Sequence, residues 1–261
     1  MQTESQVRKF TEPEGGGKRH RPSIAIGLWV IKRIERAIVR FSSLPDQPWF
    51  DSEQFDWTAK LQSHAPAIRA ELDRILDQPD RIPNFQQISK DQENITRDDR
   101  WKTFFLYGYG FRMDANCERC PETARAVESI PGMYTAFFSI LAPGKQIPLH
   151  RGPYKGLLRC HLALKIPERA EDCWIEVGGE RRHWEIDRCL VFDDTYRHGV
   201  ENNTDDQRVV LFLDIKRPMR GPGRVLNNVV LRLIRLSPFI RDAIRNHKAW
   251  ERRIGDLDGA D

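Results

Sequence analysis

The chain has 261 residues, 39% hydrophobic and 31% charged, with 17 Gly and 16 Pro, enough for one or two domains with a sizeable core. That excludes a disulfide-stapled miniature, a collagen-like chain and a wholly disordered one. The net charge of +4 hides an asymmetry. Residues 1–40 carry nine Lys/Arg against four Asp/Glu, and residues 216–253 carry eleven against two. The stretch between them is acidic, so two basic ends flank it and invite an anionic partner. Solvated helix faces account for such ends equally well.

In chain order, residues 1–22 are polar, with Gly15-Gly16-Gly17 and the basic run Lys18-Arg19-His20-Arg21, and are expected to form a disordered basic tail. From Ile24 to Phe41, apolar residues at Ile24, Leu28, Ile31, Ile34, Ile38 and Phe41 recur at helical spacing opposite a basic face. The apolar run Ile24–Ile31 is too short to span a bilayer and begins too late for a persuasive signal peptide. A second helix is expected within 58–76, with Pro66 beginning or kinking it. Residues 23–100 therefore read as an N-terminal helical region.

The texture changes near Trp101. Short β-rich runs follow at 103–109, 134–141, 157–166, 173–177, 182–186, 189–192 and 208–215, separated by turn residues, with a helix over 121–130 between them. This pattern predicts an antiparallel sandwich or barrel over 101–218. After Pro222 the helical period returns, and Val225, Leu226, Val229, Val230, Leu233 and Ile234 share one stripe, with Ile240 and Ile244 beyond Ser237-Pro238. Residues 219–261 are thus basic amphipathic helices that either lie on an anionic bilayer or pack on the β region. Five cysteines, an odd number, argue against a complete disulfide framework and point to a reducing cytosol.

The chemistry sits in the β region. His150 lies at a strand end in Pro148-Leu149-His150-Arg151-Gly152-Pro153, and His198 closes Phe192-Asp193-Asp194-Thr195-Tyr196-Arg197-His198 just past another strand. In Leu157–Leu164 the alternation puts Leu158, Cys160, Leu162 and Leu164 on one face, so Arg159 and His161 share the other, which is either exposed or lines a polar pocket. Two imidazoles at neighbouring strand ends suit a borderline transition metal, and paired arginines suit a dicarboxylate; structural histidines remain the alternative. Cys117 and Cys120 have metal spacing but no second pair, and a loop with a helix start explains them better. His20, His64, His183 and His247 lie outside these motifs and read as surface residues. No base-stacking module or helix-turn-helix pattern accompanies the basic ends, so nucleic acid is not expected.

Cys120-Pro121-Glu122-Thr123, Phe138–Gly144, His150–Pro153, Arg159–Leu162, Phe192–His198 and Arg208–Asp214, in that order and spacing, resemble the aspartyl/asparaginyl β-hydroxylase family of Fe(II)/2-oxoglutarate-dependent dioxygenases. Ala136–Leu141 and His150–Pro153 look most like its bacterial branch containing lipid A hydroxylases. The resemblance implies a mainly β fold, a double-stranded β-helix (jelly-roll, cupin-like) core with N- and C-terminal helices. It implies His150 and His198 as Fe(II) ligands, and Arg208, helped by Ser139, Arg159 and His161, as the 2-oxoglutarate site. Gly152 stands where most such dioxygenases place a carboxylate ligand, which fits this family's two-His arrangement and also the halide site of halogenases. The substrate implied is an acyl chain of lipid A or a related lipid, at the cytoplasmic face of the inner membrane. An Asp or Asn in a peptide or on a carrier is the alternative, and a catalytically silent jelly-roll binding module is the reading from another class.

Overall fold

The computed structural model describes residues 22–258 apart from 91, 92 and 94, so the expected tail lies almost wholly outside the described residues. In chain order the elements are α1 (Pro22–Phe41), β1 (Trp49–Phe50), α2 (Asp56–Ser63), α3 (Ala65–Leu76), α4 (Phe85–Ile88), β2 (Trp101–Gly108), β3 (Phe111–Arg112), α5 (Asp114–Arg119), α6 (Pro121–Glu128), β4 (Met133–Leu141) and β5 (Gln146–His150). There follow β6 (Leu157–Lys165), β7 (Cys173–Val177), β8 (Glu180–His183), β9 (Cys189–Phe192), β10 (His198–Asn202), β11 (Arg208–Lys216), α7 (Pro222–Leu236) and α8 (Pro238–Asp258). The single helix expected within 58–76 is two, because Pro66 falls in the first turn of α3 and has no N–H to continue a helix from α2.

The strands form two antiparallel sheets, one of seven strands in the order β1-β9-β6-β11-β4-β2-β3 and one of four in the order β5-β10-β7-β8. This is the expected jelly-roll core with flanking helices. The large sheet buries both faces, which is why β4 and β11 read as near-continuous apolar runs rather than alternating ones. Its outer face carries Leu158, Cys160, Leu162 and Leu164 against Leu61, Ile68 and Leu72 of α2 and α3. Its inner face meets the small sheet through Trp49, Trp101, Phe137, Phe192 and Phe212. Arg159 and His161 therefore point into the sandwich, as the alternation along β6 requires. A third cluster, with Ile38 of α1, Tyr134, Tyr154 and Leu231 of α7, ties the terminal helices over one end of the sandwich.

Buried Glu71 of α3 holds α6 in place. Its carboxylate accepts from the backbone N–H of Glu122 and Thr123, both at 2.8 Å, and from the Thr123 hydroxyl at 2.6 Å. A carboxylate at a helix N-terminus satisfies orphan amides and complements the helix dipole. Glu71→Ala is expected to cost about 2–3 kcal/mol, read as a lower urea midpoint with unchanged slope.

Candidate active site

The two histidines singled out in the sequence face each other. His198, opening β10, pairs in register with His150, closing β5, and their ring centroids are 4.1 Å apart. The register shifts by one residue just beyond them, and a Cβ on Gly199 would press on the Ile147 carbonyl and the Leu149 amide. The bulge therefore needs glycine, and it turns the end of β5 so that both rings share one side. Each Nδ1 sits by a backbone carbonyl, His150 at 2.9 Å from Pro148 O and His198 at 3.0 Å from Tyr196 O. An N–H donated there leaves Nε2 as the lone-pair nitrogen of each ring, the atom that could bind a metal, and on His198 that atom faces the Arg159 guanidinium.

Both rings are held neutral. Burial, and then the Arg159 cation, lowers the His150 pKa. Burial, Arg159 and His150 push His198 down to about 3. Between that value and the ordinary His pKa of about 6.5 the unfolded chain binds a proton that the native state refuses, so stability rises with pH across this window. His198 is 3% exposed and alone should remove about 2 kcal/mol of stability between pH 7 and pH 5. Asp194 works in the opposite sense. Its pKa is raised to about 6, chiefly by burial, with Asp214 and Asp193 adding and Arg159 opposing, so its contribution is lost as pH rises through 6. Urea titrations of wild type and Asp194→Asn at the two pH values should show the steeper acid loss in the variant.

Arg159 lies between two carboxylates, with Nη2 2.8 Å from Asp194 Oδ2 and Nε 3.1 Å from Asp214 Oδ1. Its Nη1 is 3.4 Å from His198 Nε2. Arg208 is in the opposite condition. It is 1% exposed, its Nε has no partner, and no carboxylate pairs with it among the described residues. It meets the Ser139 carbonyl at 3.5 Å and the face of Trp184, and burial pushes its pKa down to about 10. His161 is also buried with neither ring nitrogen hydrogen-bonded, packed among Trp184, Phe192 and Phe212. The Ser139 hydroxyl accepts from the Trp101 indole N–H at 3.0 Å.

Asp193 anchors the loop that delivers His198. Its Oδ1 accepts from the Thr195 amide and hydroxyl, and its Oδ2 pairs with buried Arg217 at 2.7 Å and Lys155 at 3.1 Å. Among the described residues no group of three His, Cys, Asp or Glu side chains is arranged to hold a metal ion. A metal on the histidine pair would take its remaining ligands from outside the protein. Cys117 and Cys120 are both buried, and the Cys117 thiol donates to the Leu106 carbonyl at 3.4 Å, so that pair serves the core.

Residues 62–218 match the sequence profile described as Aspartyl/Asparaginyl beta-hydroxylase. An ornithine lipid ester-linked acyl 2-hydroxylase from Rhizobium tropici is 42% identical over 86% of this chain and 80% of its own length. The chain belongs to the aspartyl/asparaginyl β-hydroxylase family. It is an enzyme of the hydroxylase class. Other family members are larger: the human aspartyl/asparaginyl beta-hydroxylase is 27% identical over 72% of this chain but 25% of its own length. The human aspartate beta-hydroxylase domain-containing protein 2 is 37% identical over 48% of this chain and 36% of its own.

In this member of the family a cavity of about 630 Å³ opens beside His150. Its polar end is made by His150, Arg151, Arg159 and Asp194. The rest is mostly apolar, including Phe105 and Met113 from the sandwich, Val230 and Ile234 of α7 and Ile244 of α8. The terminal helices thus cover the mouth of the sandwich. No described helix is long and apolar enough to cross a membrane. His247, read from sequence as a surface residue, is 2% exposed and lines this cavity, because α8 turns that face inward onto Phe105. Asp214 was missed, although Arg208, Val210, Phe212 and Asp214 share one face of β11 by simple alternation. Asp194 could be read from sequence either as an acid of the site or as part of a strand-end turn, and nothing local in the sequence marks its pairing with Arg159.

Proposed function

We propose that the protein is an Fe(II)- and 2-oxoglutarate-dependent hydroxylase of an ester-linked acyl chain on a membrane lipid. The carrying observation is the largely apolar cavity that ends on His150, whose ring lies against His198. His150 and His198 would hold the iron through Nε2, their tautomers set by the backbone carbonyls at Nδ1. Fe(II), with 2-oxoglutarate and dioxygen, supplies the oxidant for an unactivated C–H, giving succinate, carbon dioxide and the alcohol. Arg208 would take the distal carboxylate of 2-oxoglutarate, since a buried unpaired guanidinium is costly until an anion joins it. His161 and the Ser139 hydroxyl would complete the polar surround of that anion.

The polar end of the cavity argues for an acyl substrate over an Asp or Asn side chain. Arg159, the nearest cation to the histidines, is already neutralised by Asp194 and Asp214, so it offers little to a substrate carboxylate. An aliphatic chain needs no such partner. The Rhizobium relative moves the preferred lipid from lipid A toward the ornithine-lipid type.

The test supplies detergent-dispersed ornithine lipid, Fe(II), ascorbate and 2-oxoglutarate to the purified protein. A lipid heavier by one oxygen, formed with succinate, is the expected product. His150→Ala and His198→Ala should each weaken metal binding by at least about a hundredfold, since losing a ligand costs more than losing a ligand's outer partner. Hydroxylation of an Asp-containing peptide with none of the lipid would replace this reading by the peptide one.

A further inference from the structure

The outer side of α7 is unusual for a helix that closes a cavity. Val225, Val229, Leu233 and Leu236 are 65%, 50%, 63% and 63% exposed, and at 3.6 residues per turn they fall within about 80° of arc. The opposite side is already occupied. Leu231 and Asn227 are buried, Val230 and Ile234 face the cavity, and Tyr154 donates to Asn227 Oδ1 at 2.8 Å while Asn227 donates to the Gly156 carbonyl at 2.9 Å. These buried hydrogen bonds fix the roll of the helix, so the outer stripe cannot turn inward. An amphipathic helix packed on one surface needs one apolar stripe, and α7 has two.

The edge of the outer stripe is basic. Arg224 and Arg232 flank it, with no carboxylate partner among the described residues, while Arg235 is stacked on the Phe111 ring. A second copy docked by two-fold symmetry would bring like charges together, and four side chains fall well short of the roughly 800 Å² per partner of a stable interface. An anionic bilayer offers the opposite charge at the headgroups and hydrocarbon below them, and an exposed apolar patch with a basic rim matches both layers.

We propose that the outer face of α7 is the surface on which this protein rests on an anionic membrane, with Val225, Val229, Leu233 and Leu236 in the acyl region and Arg224 and Arg232 at the headgroups. The inner face of the same helix walls the cavity, so a lipid chain leaving the bilayer has one helix to pass. The choice of lipid as the thing that passes rests on the acyl-chain reading; the docking does not.

The test is flotation of the full-length protein with vesicles of equal parts phosphatidylglycerol and phosphatidylcholine at low salt. The wild type should float and be released by high salt. Val229→Asp/Leu233→Asp should lose at least about tenfold in partition with an unchanged melting curve, because both sites are exposed. Ile186→Asp, an equally simple change at an exposed apolar residue in the turn before β9, should float like the wild type. A wild type that ignores these vesicles, or a double variant that floats as well as the wild type, overturns the proposal. So does a wild-type dimer that the double variant dissociates without lipid, which would assign the stripe to a second copy. Turnover of detergent-dispersed ornithine lipid separates the two readings: the double variant should retain it. Vesicle binding through α7 by a wild type that hydroxylates no lipid would leave the docking standing and remove the acyl substrate.

Discussion

Arg208→Met is expected to make the unliganded protein more stable, by about 1–3 kcal/mol, while raising the 2-oxoglutarate requirement by a hundredfold or more. The two effects share one cause. The guanidinium is 1% exposed, its Nε is unpartnered, no carboxylate pairs with it among the described residues, and the Trp184 face and one carbonyl at 3.5 Å compensate it weakly. A buried charge without a counter-charge is tolerated only where something else is gained, and replacing it with an apolar side chain of similar length removes the desolvation cost. On the proposed function, the gain would be a bidentate seat for the 2-oxoglutarate carboxylate. Thermal melts with and without 2-oxoglutarate check both halves. The wild type should gain stability as the ligand rises, about 2.7 kcal/mol at a hundred times its Kd, while the variant starts higher and does not respond. A variant that melts lower and still responds would show that the cation is compensated within the protein and that the dicarboxylate sits elsewhere.

The parts of this architecture that were legible in the sequence are those set by local rules. Alternation along β6 put Arg159 and His161 together on the face opposite the leucines, and helical period located α3 and α7. The motif order pointed to both histidines before any geometry was available. The short strands β1, β3 and β10 were not marked, because two to five residues at a sheet edge or in a Gly-containing run carry too little pattern to stand out. The apolar stripe of α7 was legible as a stripe, but its division into a cavity face and an outer face depends on Asn227 reaching Gly156 across the fold. Likewise, Asp194 and Asp214 could be listed as acids, yet their capture of one arginine is a property of three separate elements. Long-range electrostatics of this kind leaves no periodic trace in the chain.

Gly152→Asp is expected to fail as a route to a three-ligand metal site, even though it installs a carboxylate two residues after the first histidine. The backbone at Gly152 runs against Asp194, with the Gly152 amide donating to the Asp194 carbonyl at 2.8 Å, and a Cβ there would fall inside the Asp194 carboxylate. Asp194 cannot retreat freely, because its Oδ2 is paired with Arg159 at 2.8 Å in a buried setting. The single variant therefore combines a steric overlap with two crowded carboxylates, and a loss of at least about 3 kcal/mol should follow. Asp194→Gly alone should also destabilise, since it strips one of two counter-charges from the largely enclosed Arg159. Combining them should be better than the sum, by about 2 kcal/mol or more, because the new carboxylate enters the space left by the old one and meets the same guanidinium. Denaturant titrations of the four proteins measure that coupling directly. Simple additivity would mean that Asp194 is not what keeps position 152 empty. The expected coupling would give a physical reason for a two-histidine donor set: the space for the third carboxylate is already filled, from the other side, by a residue committed to an arginine.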